Sequence, residues 1–211
     1  MKICVAYVYP VNLPRYDALA CRFAQTYVDF PPGERDHDVH IYTNGGEASH
    51  KQKLLLDVLC PTYHAHDNVG KDIGAYQRAA REIECDLLIC MGTPIYFHRA
   101  GWLDWLVRAY ELNGPALYGC WGFYEPRHHL RTTVFWLPPQ LLASYPHRVV
   151  NETRYEFEHG QKSIVNWSRS MGFENYMVTW RGVIPESQWH HVSRKDSLVI
   201  DQHCDKHPMT A

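Results

Sequence analysis

The sequence predicts an α/β/α sandwich with a mostly parallel central sheet, mixed at one side, and three observations predict it. Residues 3–9 (Ile-Cys-Val-Ala-Tyr-Val-Tyr) and 86–91 (Asp-Leu-Leu-Ile-Cys-Met) are short apolar runs, the pattern of strands covered on both faces. Segments with helical spacing alternate with strands through the first half of the chain, which favours parallel strands joined by crossover helices. The chain has 211 residues, 45% hydrophobic and 21% charged. That is the composition of one globular domain with a sizeable core, not of a disordered, collagenous or fibrous chain.

The elements follow in order. The first strand ends at Pro10, and Tyr16, Leu19, Phe23 and Tyr27 then recur on one face of an amphipathic helix. Residues 38–44 alternate and stop at Gly45-Gly46, a second strand running into a loop. Residues 63–74 read as a loop, followed by a helix carrying Ile73, Tyr76, Ala80 and Ile83, then the strand at 86–91. Trp102, Trp105 or Leu106, and Ala109 mark a helix that stops at Asn113-Gly114-Pro115. Residues 116–124 and 132–137 read as strands, Ile164, Trp167 and Met171 as a late helix ended by Gly172, and 176–180 as a last strand. No repeat or linker divides the chain. Residues 1–185 are expected to form the domain, and 186–211 a C-terminal extension that wraps it or is partly mobile.

Several function classes recede on composition. A net charge of −2 gives no global basic field toward nucleic acid or anionic lipid. Seven scattered cysteines with no C-x-x-C pair argue against a disulfide framework and against a cysteine-built zinc site, and suit a reducing compartment. No apolar run approaches the roughly 18 residues needed to span a bilayer, and the apolar start is short, rich in Tyr and without a small-residue cleavage site. The expected location is the cytoplasm, where the glycosylation sequons at Asn151 and Asn166 have no meaning.

Ligands of open α/β sheets bind beyond the carboxyl ends of the strands. Three such ends are legible: Tyr7-Val-Tyr-Pro10, Thr43-Asn-Gly-Gly46, and the loop that closes with Asn68-Val-Gly-Lys-Asp-Ile-Gly74. In the last, Gly70 and Gly74 permit a tight turn or a close approach to a ligand. Asp72 stands where a helix N-cap is expected, and Lys71 adds a cation beside the helix's positive end, an arrangement suited to a diphosphate and its sugar. An ordinary capped helix with a solvated lysine fits the same spacing.

Asn68-Val-Gly-Lys-Asp-Ile-Gly74, followed by a helix and a buried strand, resembles the core of nucleotide-diphospho-sugar glycosyltransferases of the GT-A fold, a Rossmann-like sandwich. It is nearest to the rhamnan-synthesis type, with its Asn-x-Gly-x-Asp-x-Gly loop. The resemblance extends, more weakly, over residues 1–180. It implies that Tyr7 and Tyr9 lie near the nucleotide, with Asn44 close by, and that Asn68, Lys71 and Asp72 surround the diphosphate and donor sugar. It also implies a hydroxyl acceptor, such as a glycan or polysaccharide precursor. One departure stands out. Many enzymes of this fold carry Asp-x-Asp after the strand that follows the loop, holding Mn²⁺ or Mg²⁺, but here the place reads Met91-Gly92-Thr93-Pro94. Neutralisation of the leaving diphosphate then falls to Lys71, Arg99 or histidines, or to a divalent cation with other ligands.

Arg154-Tyr-Glu-Phe-Glu-His-Gly160 resembles the late segment of inverting members, where an acidic residue serves as base for the acceptor hydroxyl. Glu158 aligns best and Glu156 is the alternate. Asp72 and Glu158 are therefore the expected catalytic pair, facing one cleft across a sugar ring. Acidic residues near a helix N-terminus have a purely structural reading as well. No metal ligands are assigned, although Asp201, His203, Asp205 and His207 have ligand-like spacing. The aromatic segments 122–126 and 132–136 fit either an acceptor wall or the core. Two alternatives to glycosyl transfer remain: a non-catalytic nucleotide-sugar-binding module, and a nucleotidyltransferase. The second would want a glycine-rich basic loop, and Val11-Asn-Leu-Pro-Arg15 contains no glycine.

Overall fold

The computed structural model describes residues 1–123, 127–191 and 196–202. Its centre is an eight-stranded sheet built from β1 (Ile3–Pro10), β2 (Asp38–Asn44), β3 (Thr62–His66), β4 (Leu87–Gly92), β6 (Leu117–Gly119), β9 (Val134–Leu137), β10 (Asn175–Thr179) and β11 (Gly182–Pro185). The spatial order is β11-β10-β6-β9-β4-β1-β2-β3. β3, β2, β1 and β4 are parallel neighbours, as are β6 and β10. β9 runs antiparallel between β4 and β6, and β11 antiparallel at the edge, so the sheet is mixed on one side as expected. Short pairs β5 (Ile95–Tyr96) with β12 (Ile200–Asp201), and β7 (Gly122–Phe123) with β8 (His129–Leu130), decorate it.

Strand alternation assigns the two faces. Ile3, Val5, Tyr7 and Tyr9 pack with α1 (Asp17–Asp29) and α4 (Trp102–Asn113) in one core. Cys4, Ala6 and Val8 pack with α3 (Lys71–Glu82), α5 (Pro139–Ala143), α6 (Arg154–His159) and α7 (Ile164–Ser170) in the other. A short α2 (His50–Leu54) precedes β3 and opens with a Ser49–Gln52 capping box. β1 and β4 are almost wholly buried, in keeping with their apolar runs.

Some boundaries differ from the expectation. The segment read as loop from Tyr63 begins with β3, a polar edge strand whose pattern of exposure does not alternate cleanly. The strand expected over 116–124 is split into β6 and β7 at Cys120 and Trp121, both buried. Within the C-terminal segment Trp189, Leu198 and Val199 are buried, and β12 pairs with β5. No described helix is long and apolar enough to cross a membrane.

Candidate active site

The carboxyl ends of β1, β2 and β4 open into a cleft of about 430 Å³, within the size range of small-molecule sites. Val8 and Pro10 come from β1, Asn44 from β2, Gly92 from β4 with Thr93 beyond it, and Asn68, Lys71 and Asp72 from the glycine loop and the first turn of α3. Arg131 and, from α6, Arg154 and Glu158 form the facing wall.

The glycine loop is shaped by the protein around it. Asn68, Gly70 and Lys71 all have left-handed backbone, at φ +68°, +74° and +54°. Gly70, not Asp72, is the helix N-cap, because a left-handed residue here turns the chain into α3 two residues earlier. A Cβ on Gly70 would lie 2.3 Å from the Val149 carbonyl oxygen, and one on Gly74 1.9 Å from that of Val69. Both glycines therefore admit neighbouring backbone, where the sequence allowed equally for a ligand. The Asn68 N–H donates to Nδ1 of His66 at 3.1 Å, and the Asn44 side chain meets the same nitrogen at 2.9 Å. Burial lowers the His66 pKa, which suits a neutral ring accepting a hydrogen bond. His66 thereby ties the end of β2 to the loop.

Asp72 lies in the first turn of α3, where Arg154 donates to both its oxygens at 2.8 and 2.9 Å. This bonding raises the already high Arg154 pKa, so the guanidinium stays charged. The same guanidinium is 3.6 Å from Glu158 Oε2, one helical turn along α6. Glu158 is 8% exposed, accepts from the Thr132 hydroxyl at 2.5 Å, and lies 3.3 Å from His159 Nε2. Asp72 and Glu158 thus share one cleft, but Arg154 fills the space between them that a sugar ring was expected to occupy. Arg131 is anchored by the fully buried Asp201 at 3.0 Å. Lys71, by contrast, is exposed and makes no ion pair among the described residues.

Tyr7 and Tyr9 are not brought to the cleft. Both are 0% exposed and project to the α1 face, because odd residues of β1 point away from α3. Tyr7 stacks on Phe23 with ring centres 4.0 Å apart, and burial pushes its phenol pKa well up. Tyr9 donates to Asp17. Arg99 sits over the Trp180 ring and does not line the cleft. Phe135 and Trp136 are core residues, so the segment 132–136 offers no aromatic wall. Residues 124–126, His203, Asp205 and His207 lie outside the described residues.

The residues present do not suit a cation bound as Asp-x-Asp binds it. β4 ends at Gly92, and the Thr93 hydroxyl donates to the Val8 carbonyl at 2.6 Å. The ligand-like atoms of His129, Glu158 and His159 do converge within 4.8 Å. There, however, Thr132 and Arg154 already claim Glu158, and the charges of Arg131 and Arg154 bear on His159. A hard cation would meet two guanidinium groups.

No protein-family model matches the chain, and no curated protein matches it in sequence. Its structure is similar to that of mouse xyloside xylosyltransferase 1, with a TM-score of 0.59 at 10% identity over 97% of this chain and 99% of that one. It is also similar to S. aureus TarS, with a TM-score of 0.51 at 8% identity over 69% of this chain, although it spans only 30% of TarS. The galactosyltransferase LgtC, solved with donor and acceptor sugar analogues, has a TM-score of 0.50 at 12% identity over 79% of this chain and 70% of that one. The described elements thus have the GT-A fold that glycosyltransferases share.

Proposed function

We propose that the chain is a glycosyltransferase that moves a sugar from a nucleotide-diphosphate donor to a hydroxyl acceptor. One observation carries the reading: Lys71 and the first turn of α3 open onto a cleft at the carboxyl ends of three parallel strands. A helix N-terminus with a lysine beside it stabilises an anion through backbone N–H groups and charge. The diphosphate belongs there, with Asn44 and Asn68 toward the nucleotide. Arg154, fixed by Asp72, presents a second cation to the leaving group. The acceptor oxygen bonds to the anomeric carbon as the bond from that carbon to the diphosphate oxygen breaks. The acceptor's proton passes to Glu158, and the nucleoside diphosphate departs with the charge that Lys71 and Arg154 balance. A glycan precursor is the acceptor class that fits the fold's relatives.

A second reading, a nucleotide-sugar-binding module without turnover, is favoured by one specific observation. Both carboxylates of the cleft are already engaged by Arg154. Incubating the full chain with uridine, guanosine and thymidine diphosphate sugars and simple hydroxyl acceptors, with and without Mn²⁺, separates the two. Release of nucleoside diphosphate from one donor class without added metal is the expected result. Donor binding without release supports the second reading, and absence of both contradicts the proposal.

A further inference from the structure

Cys4, Asp38 and His40 meet at the amino-terminal end of the sheet. β1 and β2 are parallel, with Cys4 opposite Asp38 and Ala6 opposite His40. Alternation therefore turns the Cys4, Asp38 and His40 side chains to one face. Their ligand atoms all lie within 4.8 Å of one another. A thiol, an imidazole and a carboxylate thus converge from two neighbouring strands. Cys4 is fully buried, while His40 is half-buried and Asp38 exposed, which leaves an approach from solvent.

The surroundings of His40 point the same way. Its Nδ1 lies 3.0 Å from His64 Nε2, and His64 stacks on Tyr42 with ring centres 4.7 Å apart. A metal-binding imidazole characteristically has its other nitrogen held by such a partner, which fixes ring and tautomer and leaves one nitrogen for the metal. One thiolate, one imidazole and one carboxylate make three ligands of a tetrahedral zinc site, with the fourth position open to water.

We propose that Cys4, Asp38 and His40 hold one zinc ion, Cys4 releasing its thiol proton to solvent, at a site joining β1 and β2. The site lies roughly 20 Å along β1 from Pro10, and so from the cleft, and does not depend on the glycosyltransferase reading. Sequence gives no warning of it because the ligands are dispersed and no C-x-x-C spacing exists.

Reduced full-length protein, stripped of metal, would be titrated with zinc against a chromophoric chelator and separately with cobalt. The expected result is one equivalent bound, with a sulfur-to-cobalt charge-transfer band. That band is lost in Cys4→Ser, affinity falls steeply in His40→Ala, and His64→Ala weakens binding about 10–100-fold. His159→Ala should bind zinc unchanged. The half-buried His40 keeps the test open where the Cys4 variant fails to fold. Three results would overturn the site: no zinc binding by the reduced protein, a cobalt spectrum without the thiolate band, or binding lost in His159→Ala but kept in His40→Ala.

Discussion

Lys71 is held at φ +54°, a backbone that costs a side-chain-bearing residue about 1–2 kcal/mol. Glycine avoids this strain but brings an entropic cost of roughly 0.5–1 kcal/mol. Lys71→Gly is therefore expected to match or exceed wild-type stability in denaturant melts, by up to about 1 kcal/mol. It should also weaken diphosphate binding by roughly 10–100-fold, the loss of one charge-assisted contact. A clearly destabilised variant would mean that the lysine serves the fold. Glu158→Gln keeps the Thr132 hydrogen bond but removes the proton acceptor. Turnover should fall by about 10²–10⁴ with donor affinity little changed, and unaltered turnover would end the base assignment. Asn44, Asn68, Lys71 and Asp72 were legible as cleft residues because a strand end and a glycine loop mark them locally, and Glu158 through the resemblance of its segment to inverting glycosyltransferases. Arg154 was not, since its partner Asp72 is 82 positions away. Tyr7 and Tyr9 misled because nearness to a strand end says nothing of which face a side chain takes.

At the scale of elements, α3 is placed by close backbone contact. Replacing a helical glycine by alanine ordinarily stabilises by roughly 0.5–1 kcal/mol. At Gly74 the added carbon would meet the Val69 carbonyl oxygen at 1.9 Å. Gly74→Ala is expected to destabilise by about 1–3 kcal/mol and to disturb the cleft, because the loop must shift. Equal or higher stability in thermal melts would show that α3 is not seated as described. β1, β4 and α3 were readable because burial on two faces and on one stripe leaves distinct periods in the sequence. β3 was not: an edge strand needs no apolar run, and Thr62-Tyr-His-Ala-His66 holds to β2 through its backbone ladder and through polar contacts of His64 with His40 and of His66 with Asn44. The short pairs β5–β12 and β7–β8 escaped for a similar reason, since two-residue strands have no period.

For the molecule as a whole, acid should be the weak direction. Burial is the leading cause that lowers the pKa of His64, His66 and His159 below 6.5 in the folded chain. Each is thus harder to protonate folded than unfolded. Their contribution is complete above pH 6.5 and is lost as pH falls from there through the folded values. Melting temperature followed from about pH 8 to about pH 5 should decline with onset near 6.5, and His66→Gln should flatten part of the decline. A flat profile would contradict the burial of these rings. The central claim is that the cleft at the strand ends receives a nucleotide diphosphate through Lys71 and the α3 N-terminus. Calorimetric titration of wild type and Lys71→Ala with nucleoside mono- and diphosphates, with and without Mn²⁺, tests it most directly. Metal-independent binding of a diphosphate in preference to its monophosphate, weakened by the substitution, is the expected result. Failure of every diphosphate to bind, or equal binding by both proteins, would contradict it.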